Sequence, residues 1–290
     1  MGVDAAPRFP PAGACDCHVH VIGPKAQFPL ARERTYTPMD APAAELRAML
    51  ARLGLDRVVI VQPSIYGADN ACILDALAQL GNARGVAVLP ARVAGSVLDD
   101  LHRRGIRGLR VNMGSGGAMS GEVIRDSVEA AAALCSRNGW HFQVFAPAAV
   151  WAPVTQFLLA LPVPVVMDHF GMVPLGVDGD AAVRWLMQLL ESGRGWVKIS
   201  AAYRIAGDPA DERIGELARR LVMANPERIV WGSDWPHTPV HGHRQVADDR
   251  EQPYQDIDTL GLLDLVARWL PEPRLREQVL VANPARLYGF

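Results

Sequence analysis

Eight short runs rich in β-branched and apolar residues recur along the 290-residue chain, with amphipathic stretches between them. They are ACDCHVH (14–20), RVVIVQPS (57–64), RGVAVLP (84–90), IRGLRVNM (106–113), HFQVFA (141–146), PVVMDHF (164–170), WVKISA (196–201) and RIVWGSDW (228–235). Most are apolar on both faces, the pattern of parallel strands covered on each side. The stretch 42–54 carries Leu46, Met49, Leu50 and Leu53 on one helical face. Several of its counterparts end in Gly or Asn-Pro, which stop helices. Strand and helix alternating in this way predict an α/β fold, a closed (β/α)8 TIM barrel forming a single domain over 1–290. The competing open sheet needs a glycine-rich turn after its first strand. HVIGPKAQF is nothing of the kind.

Three segments fall outside the repeat. Residues 1–13 form an N-terminal extension, and residues 21–41 and 236–256 form long loops after the first and last strands. Both loops belong at the barrel mouth, where such segments shape active sites. The 29 basic and 31 acidic residues leave a net charge of −2, with no electrostatic footprint for nucleic acid or an anionic membrane. No run approaches the ~18 apolar residues of a transmembrane helix. The N-terminus lacks the basic and apolar regions of a signal peptide. Cys15, Cys17, Cys72 and Cys135 read as small core residues of a reducing compartment. A cytoplasmic protein, monomer or homodimer, is expected.

Barrel enzymes place their chemistry at the C-terminal ends of strands. Those ends offer His18 and His20; Gln62 and Ser64; Arg110 and Asn112; Gln143 and Phe145; Asp168 and His169; Lys198 and Ser200, followed by Tyr203 and Arg204; and Asp234, followed by His237. Each has a bland reading as a hydrogen-bonded core residue. Lys198 reads as facing the helices or snorkelling. Asp168 precedes a candidate site histidine and is expected to point away from it. His141, at a strand start, reads as structural, and His241 and His243 as solvated. The joint set is the signal, because burying it without purpose costs several kcal/mol.

Four segments, CDCHVHVIGP, VIVQPSIYGADN, MDHFG and VWGSDWPHT, resemble the amidohydrolase superfamily, and more narrowly its 2-pyrone-4,6-dicarboxylate lactonase-like branch. The likeness runs over nearly the whole chain. It implies a hydrolase of carboxylic ester bonds acting on a small carboxylated lactone. It implies that His18, His20 and His169 polarise the carbonyl and that Asp234 activates water. It assigns Tyr36, Ser64, Arg110 and Arg204 to substrate carboxylates, with Tyr203 and His237 as further contacts.

The superfamily's two-metal pattern needs a Lys or Glu on strand 4 and a His on strand 5. Arg110 stands at the first place, and the second has no mouth histidine. No metal or other cofactor is therefore expected. A single zinc or other divalent ion on His18, His20 and Asp234, with His169 nearby, is the alternative. The branch's second Arg after strand 4 is missing from GSGGAMSGE; Phe145 and Met172 replace a Tyr and an Arg. These departures point to a substrate with one carboxylate, or a differently placed second one. The GSGG run could also cradle an anion, though a plain mouth loop is the simpler reading. A zinc-dependent hydrolase or decarboxylase, a lactone isomerase and a non-catalytic binding barrel are the rival readings.

Overall fold

The computed structural model describes residues 9–113, 121–176, 180–239 and 250–290. Eight strands form one sheet: β1 Cys15–Val19, β2 Arg57–Val61, β3 Ala83–Ala87, β4 Ile106–Asn112, β5 His141–Phe145, β6 Val165–Met167, β7 Gly195–Ser200 and β8 Ile229–Gly232. Their order in space is their order in sequence, and every adjacent pair is parallel. The ring closes just past β8. The Asp234 amide donates to His18 O and the His20 amide to Trp235 O, both at 2.8 Å. This is the expected (β/α)8 barrel.

Crossover helices follow the expected stretches. Ala43–Leu53 buries Leu46, Met49, Leu50 and Leu53 and stops at Gly54, whose φ of 70° is the left-handed cap glycine favours. Glu212–Ala224 starts where the Asp211 side chain accepts from the Arg213 amide, and Thr259–Trp269 where Asp258 accepts from the Leu260 amide. No described helix is long and apolar enough to cross a membrane.

Two apolar layers result. Cys15, Cys17, Val59, Val61, Val86, Val166, Trp196 and Val230 pack together inside the barrel, with Tyr288 of the C-terminal helix Asn283–Tyr288 against them at the floor. A larger layer lies between strands and helices. All four cysteines are free and buried, as expected of small core residues.

Two local irregularities aim the site. Three steps along β1, Asp16 to Val19, match two along β2, Val58 to Ile60. Such a bulge breaks the two-residue alternation. Cys17 therefore stays with the interior cluster while His18 and His20 both turn to Asp234. The Asp16 carboxylate holds the bulge, accepting from the amides of His18 (3.1 Å) and Ser233 (2.9 Å). Gly232 allows it: a Cβ there would stand 2.6 Å from the His18 Cβ. The second irregularity follows β6. The strand was expected to run to residue 170 but ends at Met167. His169, Phe170, Gly171 and Met172 all have positive φ.

Candidate active site

Asp234 is the centre. It leaves β8 with φ 67°, a region that asparagine and aspartate tolerate better than most residues. Its Oδ2 accepts from Tyr203 Oη (2.6 Å) and Arg204 Nε (2.7 Å). Those two residues come from the short helical turn Tyr203–Ala206, reached through Ala201 at φ 49°. Its Oδ1 faces three imidazoles: Nε2 of His20 at 3.6 Å, and Nε2 of His18 and His169 at 3.7 Å each.

Each ring is held from behind through Nδ1. His20 Nδ1 donates to Val61 O (2.8 Å), and His169 Nδ1 meets Ser200 Oγ (2.8 Å). His18 Nδ1 lies 3.2 Å from Asp168 Oδ1 and 3.4 Å from Lys198 Nζ. Outer partners of this kind fix ring orientation. Burial pushes His18 well below the usual imidazole range and His169 down to about 4, so both are neutral near pH 7. Burial works to raise Asp234, but the Arg204 guanidinium and then the His169 imidazole outweigh it and hold the carboxyl well below its ordinary value.

Two expectations are corrected here. Asp168 does not point away from the site. Because β6 stops at Met167 and His169 adopts φ 51°, both side chains enter the barrel mouth. Asp168 Oδ2 accepts from Arg110 Nε (3.1 Å) and Gln143 Nε2 (2.9 Å). Lys198 neither faces the helices nor snorkels. It is fully buried inside the barrel, donating to Cys17 O (3.0 Å) and Gln143 Oε1 (2.8 Å), with Asp168 Oδ1 at 3.5 Å. Burial favours a carboxyl in its neutral form, yet Lys198 and then His18 keep Asp168 well below the carboxylate range.

A cavity of about 30 Å³ opens over Asp234. A site that size holds about one water molecule. His20, Tyr36, Ser64, Arg110, Phe145, His169, Arg204 and Asp234 line it together. Burial pushes the Tyr36 phenol up to about 12. Phe145 sits between Arg110 (5.0 Å from ring centroid to guanidinium) and His169 (5.4 Å between centroids). Tyr203 and His237 stand behind Asp234 instead of along the cavity. His237 bridges Tyr203 Oη (3.3 Å) and Thr259 Oγ1 (2.8 Å). Sequence reasoning missed Thr238, whose carbonyl and hydroxyl both accept from Arg204 Nη2. Its one available signal was its position four residues past Asp234. The GSGG run (114–117) and His241 and His243 lie outside the described residues.

His18, His169 and Asp234 present ligand atoms within 4.8 Å of one another, and His20 Nε2 lies alongside. His18 Nε2 is buried without a hydrogen-bond partner. This donor set fits one divalent cation. The surrounding charges balance: Arg110, Lys198 and Arg204 stand against Asp168, Asp234 and the buried Asp16. Two of the cations, Arg110 and Arg204, line the cavity, and guanidinium groups on its wall suit an anionic guest.

A barrel with a histidine pair at the end of its first strand, a histidine after strand 6 and an aspartate after strand 8 defines a class. The chain belongs to the amidohydrolase family, whose model matches residues 15–290. It is 36% identical over 296 residues to a 2-pyrone-4,6-dicarboxylate hydrolase of Comamonas testosteroni, covering 97% of this chain and 92% of that one. It is 34% identical over 284 residues to a 4-sulfomuconolactone hydrolase of Rhizobium radiobacter, covering 96% and 91%. Among solved structures, an apo protein of Agrobacterium tumefaciens superposes with a TM-score of 0.82 at 25% identity, covering 98% and 99%.

Proposed function

We propose that this hydrolase opens a small lactone bearing an acidic substituent, using its own side chains. The observation that carries this reading is the convergence of three imidazole Nε2 atoms on Asp234 Oδ1 at 3.6–3.7 Å, beneath a cavity that two arginines also line. The names of the two curated relatives, hydrolases of a pyrone dicarboxylate and of a sulfomuconolactone, support it.

Asp234 takes a proton from water on Oδ1 as the water oxygen attacks the lactone carbonyl carbon. The tetrahedral oxyanion faces the imidazoles. His169 can donate from Nε2 while neutral, because the Ser200 hydroxyl can donate to Nδ1. His20 differs: its Nδ1 hydrogen is committed to Val61 O. The ring C–O bond then breaks, and Asp234 returns its proton to the leaving oxygen. Tyr203 and Arg204 fix the carboxylate that does this. Arg110 and Arg204 hold the substrate's acidic group, with Ser64 and Tyr36 beside them. A divalent cation held by His18, His169 and Asp234 would add Lewis-acid polarisation of the carbonyl. None of the steps above depends on it.

Phe145 presents no hydroxyl to the cavity. A single acidic group, or a second one placed differently from that of the pyrone dicarboxylate, suits these walls. Ring opening of 2-pyrone-4,6-dicarboxylate beside mono-acid lactones tests the reading, with Asp234→Asn as the control. Mono-acid lactones should be preferred, and the variant should be inactive. Strong preference for the dicarboxylate overturns the narrowing. Turnover surviving in Asp234→Asn overturns the mechanism.

A further inference from the structure

At the end of the barrel away from the catalytic cavity lies a second cavity of about 400 Å³, among the first residues of β5 to β8. Three arginines line it, Arg194, Arg228 and Arg286, and no carboxylate does among the described residues. Arg286 is partly neutralised by Glu227, at 2.9 Å. Arg228 is fixed, with Nε on Gly193 O (2.8 Å), Nη1 on Glu227 O (3.2 Å) and its guanidinium 4.9 Å from the Trp196 ring centroid. Arg194 is exposed and has no ion-pair partner among the described residues.

The second observation is His141, also in the cavity wall. It is 1% exposed, and neither ring nitrogen has a hydrogen-bond partner. Leaving a buried polar atom unpaired costs about 1–3 kcal/mol. The chain makes room for this ring: Gly108 has no Cβ, and one placed there would lie 2.3 Å from it. A neutral imidazole offers one donor and one acceptor. Pro164 and Trp196 add flat apolar wall.

We infer that this cavity is a second ligand site, separate from the catalytic one, for a small planar aromatic carboxylate. Its carboxylate lies on Arg194 and Arg228, its ring lies against Trp196 and Pro164, and His141 meets the ligand's inner polar edge. Guanidinium forks match a carboxylate, and the indole face suits an aromatic ring.

Calorimetric titration of the full chain with a benzoate that carries a para hydroxyl to meet His141, and separately with inorganic phosphate, tests this. Benzoate should bind and raise the melting temperature. Phosphate should bind at least tenfold more weakly, because it makes no use of the apolar wall. Arg194→Glu should weaken benzoate at least tenfold while leaving lactone turnover unchanged, and Trp196→Ala should weaken benzoate but not phosphate. Phosphate binding as tightly as benzoate overturns ring recognition. Absent benzoate binding, or binding indifferent to Arg194→Glu, overturns the site, since the latter result places benzoate in the catalytic cavity.

Discussion

The two ends of the barrel both bury histidines, and only one end gives them partners. At the mouth His18, His20 and His169 are each gripped through Nδ1 and converge through Nε2 on Asp234. At the floor His141 is as deeply buried, with neither nitrogen bonded and the Tyr288 ring at 5.2 Å as its aromatic neighbour. Burial alone makes an imidazole neutral. An outer partner and a facing carboxylate fix its orientation as well, as the proposed chemistry requires.

The largest effect follows from that contrast. Asp234→Asn removes the proposed base while keeping its shape, and should lower kcat by ~10²–10⁴-fold, the usual worth of general base catalysis. His141→Phe should leave kcat/KM unchanged. Initial rates on the best mono-acid lactone check both, and a similar loss in the two variants would erase the distinction between the ends.

Asp168→Asn tests what holds the mouth together. It strands Arg110 and Lys198 in the interior, and breaking a buried charge set from one side costs about 3–5 kcal/mol. Urea midpoints should record that loss. A cost below about 1 kcal/mol, the level of a surface pair, would mean that Asp168 does not organise the mouth.

Much of this architecture was legible in the sequence. Runs such as RVVIVQPS and WVKISA announce buried parallel strands because β-branched residues fit a sheet covered on both faces. The histidines, arginines and Asp234 stood at strand ends, where barrel chemistry gathers. What stayed hidden broke the two-residue period. Alternation sent Asp168 away from His169, but alternation ends where β6 does, at Met167. The bulge in β1 likewise depends on Asp16 and on missing side-chain volume at Gly232, long-range facts that no local pattern carries. Lys198 read as peripheral because an isolated lysine is costly to bury. Its ring of acceptors, Cys17 O, Gln143 Oε1 and Asp168, comes from three other strands or strand ends.

Acid should weaken both ends by one physical route. Burial pushes His169 and His237 at the mouth down to about 4, and His141 at the floor to about 3. An unfolded histidine titrates near ~6.5. As pH falls from there toward 4, the unfolded chain takes up protons that the folded one refuses, so stability drops by about 3 kcal/mol for a fully buried ring. Below about 4 the carboxyls of Asp168 and Asp234, held low in the fold, continue the decline. His141→Phe should lose roughly 2–3 kcal/mol less than the parent between pH 7 and 4.5. Thermal unfolding at the two pH values reads the difference, and equal losses would show that the floor histidine is not held neutral.

A smaller effect concerns the cavity wall. Phe145→Tyr adds a hydroxyl between Arg110 and His169. One new hydrogen bond of about 1 kcal/mol to a second acidic group should lower KM for 2-pyrone-4,6-dicarboxylate roughly fivefold. The KM for mono-acid lactones should not follow. A shift in kcat instead would mean that position 145 acts on the chemistry and not on substrate fit.

The smallest expected effect is the most discriminating at the mouth. Prolonged dialysis against a strong chelator should leave lactone turnover unchanged. The three imidazoles and Asp234 fit a cation in position, but Arg204 already occupies Asp234 Oδ2 at 2.7 Å, and Arg110 stands across the cavity on Asp168. A divalent ion would sit beside the guanidinium groups of Arg110 and Arg204, whereas an anionic lactone would pair with them. Activity that falls on chelation and returns with added zinc would reverse this reading. It would make His18 Nε2, buried and unpaired, a metal ligand first. The contrast with His141 would survive in altered form, because the floor imidazole has no carboxylate opposite it among the described residues that line its cavity.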